Sequence, residues 1–320
     1  MRAVTSNAKF SDLTRELHEH LTTTATTQGA LSKYANTYAT TAMSQYVGEN
    51  NRLLTNDLGL EWFEYVGSNI ETTREFCEHL TEKRYVHKSE IKTILKGEID
   101  GHQCEIYEKT GLPKGMIEGT NEQNFQVNCG GWNCRHQLVP VAKEAVPKNE
   151  KEALPYRKDP NYTDVKTNKQ GGMKATHVGH NFDNSVGRFG IQRGDYEKIT
   201  RDVLFKKGYN VNLRNEDGEV GTKQPDGYLN GKLMDIKGVE GNPLYSLSRA
   251  NKQRVETAIL YFHDQNLFNR NDVEQKFFTL KEWLQKTYKK DIDVSIKQIV
   301  CVINKQNGEF DVTEIKNPKE

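Results

Sequence analysis

The dipeptide Asn230-Gly231 stands between two short strand-like runs, Asp226 to Leu229 and Lys232 to Val239. A type I′ turn needs positive φ at both central residues, which makes Asn-Gly the strongest short-range hairpin signal. A two-residue loop fixes the pairing: Leu229 with Lys232, Tyr228 with Leu233 and Gly227 with Met234, so that Asp226 falls opposite Asp235 on the same face. Like charges directly opposite each other destabilise a strand pair. A divalent cation between the two carboxylates removes that repulsion.

Lys237 lies two residues beyond Asp235 and therefore on the same face, where its ammonium reaches a water or phosphate oxygen held at such an ion. With no His or Cys nearby, hard carboxylate oxygens favour Mg²⁺ or Mn²⁺ over Zn²⁺. Phosphoryl chemistry needs an ion of this kind to neutralise charge on the transferring group, so phosphodiester hydrolysis is the reaction class expected. The competing reading takes Asp226 and Asp235 as turn-flanking surface acids and Lys237 as a solvated strand residue, because short D-x-K strings are common.

A chain of 320 residues is too long for one ordinary core and long enough for two. A net charge of +1, 28% charged residues and a mean hydropathy of -0.82 describe a polar chain with no global field toward nucleic acid or an anionic membrane. The N-terminus has no signal-peptide pattern, and no apolar run approaches the roughly 20 residues that span a bilayer. Neither a membrane protein nor a Sec substrate is expected. The odd number of cysteines, 5, argues against a secreted disulfide framework.

The spacing of apolar residues from Asp12 to about Glu49 predicts one or two exposed helices, Leu60 to Val66 a strand, and Asn69 to Lys83 a helix. From His87 to Val141 the Gly-rich turns and the Cys/His segment predict a compact irregular module. Residues 142–182 are charged and poor in branched apolar side chains, and read as a polar linker. Beyond it, Gly194 to Lys207 reads as a helix closed by Gly208, followed by strands at Tyr209 to Leu213, Asp226 to Leu229 and Lys232 to Val239. Leu244 to Phe262 reads as a long helix, Leu280 to Tyr288 as a shorter one, and Ser295 to Ile303 and Phe310 to Ile315 as strands. The expected architecture is a mainly α module over 1–141 with a small irregular Cys/His segment, then an α/β domain over 183–320 with a mixed sheet.

Pro225-Asp226 followed by Asp235-Ile236-Lys237, with a helix upstream, resembles the PD-(D/E)xK superfamily of restriction-endonuclease-like folds over roughly Gly194 to Ile315. That likeness implies a supplementary metal or water ligand at Glu197. It also implies phosphate contacts from Gln253 with Lys252 or Arg254. The runs YEKITRDVLFKKGYNVNL and KQPDGYLNGKLMDIKG are similar to the C-terminal tRNA nucleases of contact-dependent inhibition and other polymorphic toxins. A nucleic-acid substrate and a cognate immunity protein would follow.

YANTYATTAMSQYVGENN, LEWFEYVGSNIETTREFC and NCGGWNCRHQLVPV resemble the C-terminal part of MuF-type phage minor head (head morphogenesis) proteins over about Ser32 to Val141, with a shortened helical region. Portal or capsid proteins would then be partners, and the location would be the virion or the bacterial cytoplasm. An alternative is a virion structural protein whose nuclease-like domain is not catalytic. A metal-free nuclease using His acid-base chemistry is a third class, for which no paired-His constellation is present.

Cys77-x-His79 and Cys134-x-His136, with Cys129 nearby, offer enough ligands for a Zn²⁺ site that staples the irregular module. The bland reading makes the thiols small core residues and the histidines surface ones.

Overall fold

The computed structural model describes residues 29–215 and 224–317, together with Arg15, His18, Glu19, Leu21 and Thr22. The chain divides into two compact units, Met1–Val146 and Pro147–Glu320. No helix among the described residues is long and apolar enough to cross a membrane.

In unit 1 the first element described over its whole length is α1 (Ala30–Leu58), whose buried residues are Thr41, Gly48 and Thr55. That face is small and polar, while Tyr34, Tyr38, Met43 and Tyr46 are exposed. Gly48 is needed for close approach, since a Cβ there would meet the Gln126 carbonyl oxygen at 2.6 Å. Most of the stretch expected to be helical before Ala30 lies outside the described residues.

Next come β1 (Trp62–Val66), α2 (Glu75–Lys83), β2 (Tyr85–His87), α3 (Ile91–Ile94) and the small hairpin β3 (Glu98–Ile99) and β4 (His102–Gln103). They are followed by α4 (Phe125–Asn128) and β5 (Gln137–Val141). β1 pairs antiparallel with both β2 and β5, so a three-stranded sheet accompanies the helices of the module. Its core gathers Phe63, Tyr65, Phe76, Leu80, Phe125 and Leu138 with four of the cysteines.

Unit 2 is an α/β structure around an eight-stranded mixed sheet in the order β13-β12-β11-β10-β9-β8-β7-β6. Its elements are α5 (Lys148–Lys158), β6 (Tyr162–Thr167), β7 (Met173–His177), α6 (Arg193–Lys206), β8 (Asn210–Leu213), β9 (Gly227–Leu229) and β10 (Lys232–Gly238). They continue with α7 (Pro243–Lys252), β11 (Thr257–Phe262), α8 (Arg270–Phe278), α9 (Leu280–Tyr288), β12 (Gln298–Asn304) and β13 (Phe310–Lys316). Residues from α7, α8 and α9 pack on one side of β11 and β12. Tyr196, Val203 and Leu204 of α6 pack on the other.

Two sequence expectations are corrected here. The span 142–182 is not a linker: β6 and β7 form the outer part of the sheet and α5 packs on them through a small core of Ala153, Val165, Met173 and Ala175. The charges that suggested a solvated linker are paired. Arg157 meets Glu150 at 2.9 Å with both side chains nearly inaccessible, and Lys174 and Arg201 share Asp164 and Asp202 between β7 and α6.

The helix expected over Leu244 to Phe262 ends at Lys252. Arg254 then turns at φ 55°, and Thr257–Phe262 forms a strand parallel to both β10 and β12. Every residue of β11 is buried, and a strand covered on both faces has no alternation to distinguish it from a buried helix.

Candidate functional site

The β9–β10 hairpin has the register that its turn dictates: Lys232 opposite Leu229, Leu233 opposite Tyr228 and Met234 opposite Gly227. Asn230 at φ 48° and Gly231 at φ 80° make the turn. Gly227 lets β9 lie close to β8, because a Cβ there would stand 1.9 Å from the Asn212 carbonyl oxygen.

Immediately before β9, Asp226 accepts a hydrogen bond from the Ile236 amide at 2.5 Å, which sets its carboxylate over β10 beside Asp235. These are not surface acids. Asp226 is 6% exposed and Asp235 1%.

Lys237 Nζ lies 2.7 Å from Asp235 Oδ1 and 3.9 Å from Asp226 Oδ2. Apart from that ion pair, neither Asp235 oxygen has a hydrogen-bond partner among the described residues. Burial, and then the Asp226 charge, push the Asp235 carboxyl up to about 8. Burial works against the Lys237 ammonium, but Asp226 and Asp235 outweigh it and hold the pKa above its ordinary value.

Glu197 reaches the same place from α6. The helix packs tightly on β10 because Gly238 has no side chain: a Cβ there would lie 2.6 Å from the Tyr196 ring, which stacks on Tyr261 with centroids 4.9 Å apart. The adjacent Glu197 then meets His180, Oε2 to Nε2, at 3.2 Å. His180 Nδ1 sits 3.1 Å from the Arg214 carbonyl oxygen, which only accepts, so Nδ1 carries a proton. Burial lifts the Glu197 pKa, His180 opposes the rise and Asp226 adds to it.

Asp226, Asp235 and Glu197 thus set three acids against the single ammonium of Lys237. A buried surplus of negative charge is relieved by protonation or by a bound cation. The Asp235 carboxylate, with Lys237 as its one cationic partner among the described residues and a second carboxylate beside it, fits a hard divalent ion.

A cleft of about 270 Å³ adjoins the group, lined by Glu197 and Lys237 together with Arg249, Lys252 and Gln253. Asp226 and Asp235 are not in its lining; Lys237 connects them to it. Arg254 lies outside this cleft, on a neighbouring cavity with Asn251 and Tyr288, because its turn carries it away from the end of α7. Arg249 has no acidic partner among the described residues. Neither it nor His180 was legible in the sequence: one sits mid-helix among alternating polar residues, and the other is a lone histidine between two elements.

In unit 1, Cys77, Cys134 and His136 form a buried group that could hold a metal ion. The thiols stand 3.8 Å apart, and Cys134 Sγ lies 3.3 Å from His136 Nδ1. Cys129 is buried beside them, its thiol 3.6 Å from the His136 carbonyl oxygen.

His79 does not join, contrary to expectation. Two residues apart on α2, Cys77 and His79 point about 200° away from each other, and the His79 ring lies instead against that of His102, with centroids 3.8 Å apart and planes tilted by 31°. A second group, Glu75, His102 and Cys104, is partly exposed.

Compared with protein-family models, with curated proteins and with solved structures, the chain matches none.

Proposed function

We propose that unit 2 is a metal-dependent nuclease that hydrolyses phosphodiesters in RNA or DNA. The observation that carries this reading is the buried Asp226 and Asp235 pair, with Lys237 bridging from Asp235 to the cleft. Asp226 and Asp235 would hold Mg²⁺ or Mn²⁺. When bound, such an ion supplies the positive charge that phosphoryl transfer requires.

The chain's own groups do the rest. Lys237, kept cationic by its two acids, offsets charge on a phosphate oxygen. Glu197 accepts a proton from the attacking water, its readiness to do so set by burial and by His180. Arg249, Lys252 and Gln253 supply donors for the substrate backbone.

This reading agrees with the resemblance to PD-(D/E)xK nucleases and extends to a toxin role. Unit 1 would be the phage minor-head-like part that associates with portal or capsid proteins, in the virion or in the bacterial cytoplasm. An immunity protein would guard the cell that makes the active nuclease.

The test is cleavage of total tRNA, ribosomal RNA and plasmid DNA by the full chain with Mg²⁺, with EDTA, and with the Asp235→Ala and Lys237→Ala variants. Cutting should require Mg²⁺, vanish with Asp235→Ala and fall on the order of 10²- to 10³-fold with Lys237→Ala. A folded chain that cuts nothing and binds no divalent ion would sink the proposal in favour of a non-catalytic virion protein. Cutting that survives EDTA would indicate metal-free acid-base chemistry instead.

A further inference from the structure

Between β4 and β5 the chain of unit 1 runs from Cys104 to His136 with α4, four residues long, as its one regular helix. Irregular segments of that length inside a compact module need an anchor other than secondary structure. Part of the anchoring is visible as hydrogen bonds near the end of the loop. Arg74 donates to the Gly130 carbonyl at 2.6 Å and also to the Trp132 carbonyl. Ser44 of α1 donates to the Cys134 carbonyl at 2.6 Å. These bonds fix the Cys134 backbone so that its thiol faces Cys77 of α2.

The three side chains then converge. Zinc bonds of about 2.3 Å to sulfur and about 2.0 Å to nitrogen, at tetrahedral angles, place two sulfurs about 3.8 Å apart and a sulfur and nitrogen about 3.5 Å apart. The observed separations are 3.8 Å and 3.3 Å. Two glycines leave room for the group: a Cβ at Gly130 would stand 2.2 Å from Cys134 Sγ, and one at Gly67 would stand 2.2 Å from the His136 ring. Tyr65, stacked on His136 with centroids 5.3 Å apart, has a buried hydroxyl with no hydrogen-bond partner among the described residues.

From this geometry we infer that Cys77, Cys134 and His136 bind a structural Zn²⁺ that ties the long loop to α2. Two thiolates and an imidazole are the soft and borderline donors that select zinc over magnesium or calcium. Cys129 is buried in the same core but stands outside the group of three, its thiol turned to the His136 carbonyl oxygen at 3.6 Å. The site is closed to solvent, so its contribution is to folding of the module rather than to chemistry.

The experiment is metal analysis of the full chain, purified without chelators or added metal. We expect about one zinc per chain, released when the thiols are titrated with a mercurial, and lost in Cys134→Ala. Cys301→Ala, which removes a buried thiol of the other unit, should keep it. Because Cys134→Ala can unfold the module, zinc-edge X-ray absorption of the unmodified chain gives an independent readout, with at least two sulfurs and one nitrogen expected around the metal. A folded chain free of zinc, a Cys77–Cys134 disulfide found by mass spectrometry, or a metal shell of oxygens alone would overturn the inference.

Discussion

A carboxyl as buried as that of Asp235 makes folding depend on pH in a range where exposed acids do not. Its ordinary value is 3.8 and burial, with the Asp226 charge behind it, raises it to about 8. Folding of the metal-free chain therefore takes up a proton between those values. The stability this carboxyl allows is fully present below about 3.8 and is lost as pH rises toward about 8. Glu197, also raised by burial, adds a slope of the same sign. Thermal melts in EDTA should show unit 2 losing several degrees between weakly acidic and weakly alkaline pH, and Asp235→Asn should remove most of that loss. Added Mg²⁺ should restore stability at the alkaline end by occupying the place of the proton. A melting temperature independent of pH in EDTA would contradict the assignment of buried charge to Asp235.

At the scale of elements, the position of Asp226 depends on how closely β9 approaches β8. Gly227→Ala introduces a methyl group where the Asn212 carbonyl already stands, and should cost roughly 1–3 kcal/mol as an overpacking change. It should also depress cleavage by moving Asp226. Gly241→Ala, which meets nothing within 4 Å, serves as the matched control and should change stability by less than about 0.5 kcal/mol. Equal effects of the two substitutions on unfolding would show that the close strand approach is not what holds the hairpin.

The same hairpin explains what the sequence revealed. Asn230-Gly231 carries its own dihedral requirement, so the pairing of Lys232 to Met234 with Leu229 to Gly227 followed from local chemistry alone. β11 did not, because six consecutively buried residues lack any period. Glu197 was placed by resemblance, whereas His180, 17 residues upstream in the chain, meets it only once α6 is packed. Cys77 and Cys134, 57 residues apart, were grouped in the sequence by ligand type, but only the tertiary structure separates them and His136 from His79.

At the scale of the whole chain, the boundary between the units falls at Val146 and Pro147, near the expected end of the first module at 141, and the second unit begins well before Asp183. A fragment of residues 147–320 retains the complete sheet, while one of 183–320 lacks β6 and β7 and exposes the β8 edge that pairs with β7. Unpaired edges of buried strands promote association. Expressed separately, the longer fragment should be monomeric with a cooperative unfolding transition, and the shorter one should aggregate. A shorter fragment that is equally well behaved would mean that α5, β6 and β7 are dispensable.

The placement of β6 and β7 also limits how genes for such chains can recombine. A crossover in the short stretch between β5 and α5 would pass an intact C-terminal domain to a new N-terminal partner. A crossover in the polar residues before α6 would leave the donor with an orphaned strand pair and give the recipient a sheet with a raw edge.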